Sequence, residues 1–306
     1  MQSPSAATYI KSWLKAIRLR TLPLSLSCIA MGSFLAGAEG KFSWAVFILA
    51  VITTLFLQIL SNLANDYGDT IHGADSKERI GPARTVQSGE ISLNAMRTAM
   101  GIFGALALVS GISLLLISFG NISKRFLFFF ALGVSAIAAA VKYTAGRNPY
   151  GYKGLGDLFV FLFFGIVGVA GSYFLFTHQF NVQILLPAAS LGWLCAGVLN
   201  VNNMRDRISD AQAGKMTLAV RLGPDYSKYY HLMLIVLGWI SVLVYTIINY
   251  QSLTQFIYLI LLPLFTAHVR RVMSISEPAL LDKQLKTLAL SNLAYCITFG
   301  IGVILR

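Results

Sequence analysis

Nine long apolar blocks separated by polar segments organise the chain, running roughly over 21–38, 43–65, 97–118, 125–141, 157–177, 183–204, 229–248, 253–269 and 287–305. A helix needs about 20 apolar residues to cross the ~30 Å hydrocarbon core of a bilayer, and each block comes close to that. The short-period alternation of a membrane β-strand is missing. The pattern predicts an all-α, polytopic membrane protein, with nine transmembrane helices forming one bundle over 21–306. Ahead of it, residues 9–20 put Ile10, Trp13, Leu14 and Ile17 on one helical face and Lys11, Lys15 and Arg18 off it. Such a helix lies on the membrane surface, so segment 1–20 reads as an interfacial N-terminal element. The basic start, the apolar run and Ala36-Gly37-Ala38 also have the outline of a cleaved signal peptide. Cleavage would leave eight spans and no anchor for the basic start, which favours the uncleaved reading.

Composition and charge support this reading and orient it. Apolar residues make up 56% of the 306 and charged residues only 12%, whereas soluble domains carry about a quarter charged residues. With the N-terminus inside and nine spans, 20 of the 24 Lys and Arg fall on the inner side, as does every Asp. Only Lys41, Lys124, Arg125 and Arg306 lie outside. That skew is the positive-inside pattern, and it predicts a multi-pass protein of the cytoplasmic (inner) membrane with a cytoplasmic N-terminus. The net charge of +12 then describes a face that signals topology and attracts anionic membrane lipids, and a nucleic-acid partner is not expected. Cys28, Cys195 and Cys296 lie within apolar blocks without metal-ligand spacing and read as packing residues.

The chemistry is concentrated in two polar strings at inner span ends, Asn62-Leu-Ala-Asn65-Asp66-Tyr-Gly-Asp69 and Asn202-Asn203-Met-Arg-Asp206-Arg-Ile-Ser-Asp210. Each places an Asn four residues before an Asp and a second Asp about one helical turn further on. Residues three or four apart share a helix face, so each string predicts one acidic face. Four carboxylates facing one cavity repel strongly at low dielectric. The arrangement is reasonable if divalent cations lie between them. Mg2+ takes hard oxygen ligands, usually one or two carboxylates plus water and phosphate oxygens. Asp66, Asp69, Asp206 and Asp210, with Asn62 and Asn202 as further oxygen donors, are the expected ligands of about two Mg2+ ions gripping a diphosphate.

The inner loops (66–96, 142–156, 205–228, 270–286) are long and the outer ones short, and long ordered loops usually carry function. Each Asp string is followed by a loop with a Thr and paired basic residues: Arg79, Arg84 and Thr85 after the first, Lys215, Thr217 and Arg221 after the second. This weak repeat suggests two facing helical halves, with the cations available to diphosphate oxygens. A third cluster runs from Lys142 to Asp157 and includes Tyr143, Arg147, Tyr150, Tyr152 and Lys153; it reads either as the seat of an anionic aromatic or as an interfacial aromatic belt. The histidines (His72, His178, His231, His268) show no nucleophile pairing or metal spacing, and Gly165, Gly168 and Gly171 predict close helix packing.

At these residues the sequence resembles the UbiA superfamily of intramembrane prenyltransferases, whose NDxxD-type and DxxxD motifs read here as Asn65-Asp66-Tyr-Gly-Asp69 and Asp206-Arg-Ile-Ser-Asp210. Arg20-Thr-Leu-Pro-Leu-Ser25, His72-Gly-Ala-Asp75, Arg79-Ile-Gly-Pro82 and Gly154-Leu-Gly-Asp-Leu-Phe-Val-Phe-Leu-Phe-Phe-Gly165 look most like the branch acting on 1,4-dihydroxy-2-naphthoate. The resemblance implies an active site at the cytoplasmic end, with a polyprenyl diphosphate and that naphthoate as substrates. It implies binding by Arg20, Asn62, Asn65, Arg79, Arg84, Lys142, Tyr143, Arg147, Lys153, Asn202 and Lys215. Many members carry a further Asp four residues after Asp69; here that position is Gly73 and the next acid is Asp75. Phe159, Phe161 and Phe164 are candidates to face the isoprenoid tail or, as is commoner for such rings, the lipid. Another aromatic acceptor, such as 4-hydroxybenzoate or homogentisate, fits the same motifs. A cation-coupled transporter fits less well, because transport carboxylates sit near the bilayer midplane.

Overall fold

The computed structural model describes residues 6–73, 80–81 and 84–306, and the described residues are helical with no strand. Nine of the helices among them are long and apolar enough to cross a membrane, matching the nine blocks. In chain order the helices are α1 (Ala6–Ile17), α2 (Leu22–Ala38), α3 (Trp44–Ile71), α4 (Leu93–Phe119), α5 (Lys124–Lys142), α6 (Gly156–Thr177), α7 (Leu185–Arg205), the short α8 (Arg207–Gln212), α9 (Leu218–Ile248), α10 (Leu253–Ser274) and α11 (Pro278–Ile304). Serine and threonine caps start several of them. Ser92 accepts from Ala95 N–H and Ser123 from Phe126 N–H, satisfying donors that a helix start leaves open. The protein is thus a multi-pass membrane protein.

Three departures from a plain bundle shape the interior. Arg18 has φ 55°, a left-handed backbone uncommon for a residue with a side chain. It breaks α1 from α2, so the amphipathic helix is a separate element, with Ala16 buried and Ile10 and Leu14 exposed. The second break falls at Asp206 (φ −91°, ψ 7°) between α7 and α8, so the second Asp string does not lie on one continuous helix face as its spacing predicts. In α9, Gly223 (φ 77°) kinks the chain just before Pro224, so the helix begins earlier than the apolar block at 229.

Across residues 161–171 α6 widens into a π-helical turn pattern. π segments are rare and often lie at functional sites. A methyl group at Gly165 would sit 2.6 Å from the Ala188 carbonyl oxygen, and one at Gly168 would sit 2.9 Å from Cys28 Cβ. These two glycines let α6 approach α7 and α2, as expected. Gly171 does not share the role: a methyl there would make only ordinary contacts, the nearest 3.7 Å away. One large core joins α2, α6, α7, α9, α10 and α11, while a smaller one packs Ala16 against Leu63, Val86, Ile91 and Met96. A cavity runs between the remaining faces of α2, α3, α4, α5 and α6.

Candidate functional site

The cavity has a volume of about 390 Å3, and its wall follows α3 from Asp69 to Ala50. At ~1.5 Å per residue that is about 28 Å, close to the thickness of a hydrocarbon core. The far end is apolar, with Ala50, Leu114, Leu115, Phe129 and Leu175. The near end is polar, with Arg18, Asn62, Asn65, Asp69, Arg84, Asn202 and Lys215. A long apolar tail with a strongly anionic head fits that division.

The first string lies on the last turns of α3, so helical spacing holds and Asn62, Asp66 and Asp69 are all buried. Thr85 donates its backbone N–H (3.1 Å) and hydroxyl (2.7 Å) to Asp66 Oδ2, and Val86 N–H reaches Oδ1 at 3.5 Å. Asp69 is where distant segments converge. Arg84 donates to its Oδ2 at 3.0 Å, and Tyr152 and Lys215 donate to Oδ1 at 3.1 and 3.3 Å. Asn62 donates to the Ile17 carbonyl (2.7 Å) and Thr21 (3.0 Å) and accepts from Gln58 (3.2 Å), tying α3 to the break at Arg18. Asn65 accepts from Thr144 at 3.1 Å. The fit there is tight: a methyl at Gly68 would lie 2.5 Å from the Thr144 carbonyl carbon.

The second string is held differently. Asp206 receives a fork from the adjacent Arg205, both bonds at 2.8 Å, and Arg205 also donates to Asn202 Oδ1 at 2.9 Å. After α8, Gly214 (φ 71°) turns the chain back, and the Lys215 N–H bonds the Asp210 carbonyl at 2.8 Å. That turn carries the Lys215 ammonium to within 3.6 Å of the Asp210 carboxylate while it also reaches Asp69. The two strings therefore meet across one lysine. Burial works against its charge, but Asp69 and Asp210 outweigh burial and hold its pKa well above the usual lysine range.

The cluster at 142–157 divides in two. Tyr143 and Tyr150 line the cavity and Tyr152 reaches Asp69, while Lys142, Arg147 and Lys153 are exposed and off the cavity wall. Burial first, and for Tyr143 and Tyr152 nearby carboxylates as well, push the three phenols above their ordinary pKa, so they stay protonated and act as donors. Arg20 pairs with Asp282 at 3.1 Å, and Arg18 lines the cavity instead. Arg221 donates to the Met216 (3.2 Å) and Lys153 (3.0 Å) carbonyls, fastening two loops. Phe159 and Phe164 line the cavity, but Phe161 packs on Trp193 with centroids 4.2 Å apart. His231 and His268 pair with each other at 3.0 Å, a contact their spacing did not signal. Arg79 and Asp75 lie outside the described residues.

Among the described residues no three His, Cys, Asp or Glu side chains gather closely enough to cage an ion. The donor set still fits Mg2+, which commonly takes only one or two protein carboxylates and completes its shell with water and phosphate. Asp69 and Asp210 face one another across Lys215 and bring carboxylate oxygens, the hard donors that Mg2+ takes.

A model of the UbiA prenyltransferase family matches residues 25–293. The chain belongs to the UbiA prenyltransferase family. It is 40% identical over 299 residues to the 1,4-dihydroxy-2-naphthoate octaprenyltransferase of Haemophilus influenzae, covering 97% of this chain and 96% of that one. Against the Escherichia coli protein of the same name it is 39% identical, covering 94% of each. A solved UbiA homologue from Aeropyrum pernix K1 superposes with a TM-score of 0.64 at 18% identity over 94% of this chain and 98% of that one. Another from Archaeoglobus fulgidus, bound to GPP and Mg2+, gives 0.61 at 17% identity over 96% and 100%. The two structures establish a shared UbiA fold.

Arg18, Arg205 and Asp282 belong to no expected binding set, and Thr85 and Tyr152, which the loop patterns include, carry no expected contact to Asp66 or Asp69. Arg205 had a readable signal in its position beside Asp206. Asp282 had none, being an isolated acid 77 residues from Arg205.

Proposed function

We propose that this UbiA member transfers a polyprenyl group from polyprenyl diphosphate to 1,4-dihydroxy-2-naphthoate, releasing diphosphate and CO2 and giving a demethylmenaquinone-type quinol. The observation that carries the reading is the meeting of both Asp strings across Lys215 at the polar end of a cavity about as long as the membrane is thick. The names of the naphthoate octaprenyltransferases at 39–40% identity support the acceptor, and the GPP and Mg2+ bound by the Archaeoglobus fulgidus homologue support the donor and the metal. Asp66, Asp69, Asp206 and Asp210, with oxygens of Asn62 and Asn202, are the residues proposed to hold about two Mg2+ ions. Bound there, Mg2+ supplies charge neutralisation for the departing diphosphate.

The chain's own groups do the rest. Arg84 and Lys215 stand beside Asp69 with fixed positive charge aimed at the cavity's polar end, where the leaving diphosphate gathers charge. Heterolysis of the C1–O bond leaves an allylic cation, and the apolar wall of the cavity excludes the water that would trap it. The electron-rich ring carbon bearing the carboxylate attacks C1 as its neighbouring hydroxyl becomes a ketone and gives up a proton. The resulting β-keto acid loses CO2, and the enolate left behind takes a proton to restore the aromatic quinol. No protein nucleophile is needed; alignment and electrostatics supply the rate. Tyr143, protonated and on the cavity wall, is placed to donate to the acceptor's oxygens, while Tyr150 donates its proton to the Ala139 carbonyl at 2.9 Å and Lys142, Arg147 and Lys153 are exposed off the wall. The inner membrane, with the N-terminus and both Asp strings on the cytoplasmic side, is the location the basic-residue skew supports.

The deciding experiment offers purified protein a labelled prenyl diphosphate with 1,4-dihydroxy-2-naphthoate, 4-hydroxybenzoate or homogentisate, with Mg2+ or with EDTA. The expected result is a prenylated product and carboxyl-derived CO2 from the naphthoate alone, abolished by EDTA. Equal turnover of 4-hydroxybenzoate, or turnover indifferent to EDTA, would refute it.

A further inference from the structure

Arg205 is 1% exposed, and all three of its guanidinium nitrogens donate hydrogen bonds. Nε and Nη2 fork onto the two oxygens of Asp206, Nη2 also reaches Asn202 Oδ1, and Nη1 donates to Asp282 Oδ1 on α11. Asp282 in turn accepts from Arg20 at 3.1 and 3.3 Å. Gly81 lies directly on this group: a methyl there would stand 2.7 Å from Arg205 Nη2 and 3.1 Å from Asp206 Oδ1. Neighbouring side chains on a helix diverge by about 100°, so Arg205 and Asp206 meet only because the helix breaks at Asp206.

This geometry is that of an orienting group. A carboxylate has about four lone-pair positions, and the fork takes one on each oxygen. The two-point grip fixes the plane of the carboxylate. Arg205 cannot swing, because Asp282 holds its far nitrogen and Arg20 backs Asp282. We propose that Arg205, anchored by Asp282, is the positioning residue that sets Asp206 and Asn202 for a divalent cation. This rests on the metal-site reading above. It adds a brace running from the start of the first span through α11 to the second Asp string, which nothing in the motif spacing assigns. Outer partners that orient metal ligands commonly change metal affinity or activity by about 10–100-fold when lost.

The test measures Mn2+ binding by electron paramagnetic resonance in the purified full-length protein, with a non-reacting thiolodiphosphate analogue of the prenyl donor present, alongside kcat and the half-saturating metal concentration. Arg205→Lys keeps the charge and removes the fork; Asp282→Asn leaves Arg205 in place and weakens its anchor. Expected are a rise of roughly tenfold or more in half-saturating Mn2+ for Arg205→Lys, and a smaller rise of about threefold for Asp282→Asn. Both should keep the wild-type thermal midpoint within a few degrees. Were Arg205→Lys to misfold, the Asp282→Asn shift alone decides. Wild-type metal half-saturation in a folded Asp282→Asn or Arg205→Lys protein overturns the positioning role. If Asp206→Asn itself leaves wild-type Mn2+ binding unchanged, the metal-site reading fails instead, so the two failures are told apart.

Discussion

The two Asp strings look alike in sequence and are held in different ways. On α3, Asp66 and Asp69 keep helical spacing and are bound by groups brought from far along the chain: Thr85, Arg84, Tyr152 and Lys215. At the α7–α8 break, Asp206 is gripped by its immediate neighbour Arg205, and Asp210 by Lys215 five residues on. The first string is therefore a convergence point of loops, and the second is gripped by cations of its own segment and braced from α11. Equal spacing predicts equal ligands, but unequal surroundings predict unequal sensitivity to change.

The sharpest contrast is between Asp69 and Asp210. Asp69→Asn removes the negative charge and one of the two acceptor oxygens facing Arg84, Lys215 and Tyr152, leaving the two buried cations less compensated, a situation that costs several kcal/mol when charges are buried. We expect kcat/KM to fall by on the order of 10^3-fold, about 4 kcal/mol. Asp210→Asn should cost roughly tenfold less. Purified variants assayed side by side at saturating Mg2+ decide it, and a larger loss at Asp210 would reverse the assigned asymmetry.

Lys215 joins the two regions, so its removal tests whether they need one another. Lys215→Met should lower kcat/KM by about 10^2-fold, roughly 3 kcal/mol, with Lys215→Arg recovering part of it. The pH dependence follows from the sign of the shift. Asp69 and Asp210 raise the folded pKa of Lys215 above its unfolded value, so its contribution is fully present below the unfolded pKa of about 10.4 and is lost only as pH rises through the higher folded value. The stability difference between wild type and Lys215→Met should thus be flat from pH 6 to 9. A thermal-midpoint difference that changes across that interval would show a folded pKa pushed below the unfolded value, the opposite sign of shift.

How far the sequence reveals each region follows from the distance over which each feature is encoded. A membrane span is a property of about 20 consecutive residues, so the nine spans and the two Asp-bearing ends are visible from the apolar pattern alone. The basic loops after each string are local too, and Arg84 and Lys215 stand at Asp69 as their proximity in sequence to the strings suggests. What is not local is not visible. The helix break at Asp206, the left-handed Arg18 and the pairing of Asp282 with Arg205 depend on packing between segments dozens of residues apart. The cluster at 142–157 shows the same boundary. Its residue types mark a polar seat, but only the packing of Gly151 and Gly156 against Tyr143 turns the phenols inward and leaves the cations outside.

Tyr152 gives the smallest effect and the finest test of how Asp69 is held. Its hydroxyl donates to Asp69 Oδ1 at 3.1 Å, the same oxygen that Lys215 reaches, and its ring lies 5.5 Å below the Lys215 ammonium. Tyr152→Phe removes the hydrogen bond and keeps the ring, so the cation–π contact and the packing survive. A hydrogen bond to a charged group contributes about 1.5–3 kcal/mol, but Arg84 and Lys215 remain on the carboxylate, so the expected loss lies at the low end, roughly tenfold in kcat/KM. Tyr152→Leu removes the ring as well and should cost a few-fold more, because the ring attraction for a cation is about 0.5–1 kcal/mol where it is partly solvated. If Tyr152→Phe matched wild type while Tyr152→Leu lost activity, Asp69 would be set by Arg84 and Lys215 alone, and the first string would depend on its two cations much as the second depends on Arg205.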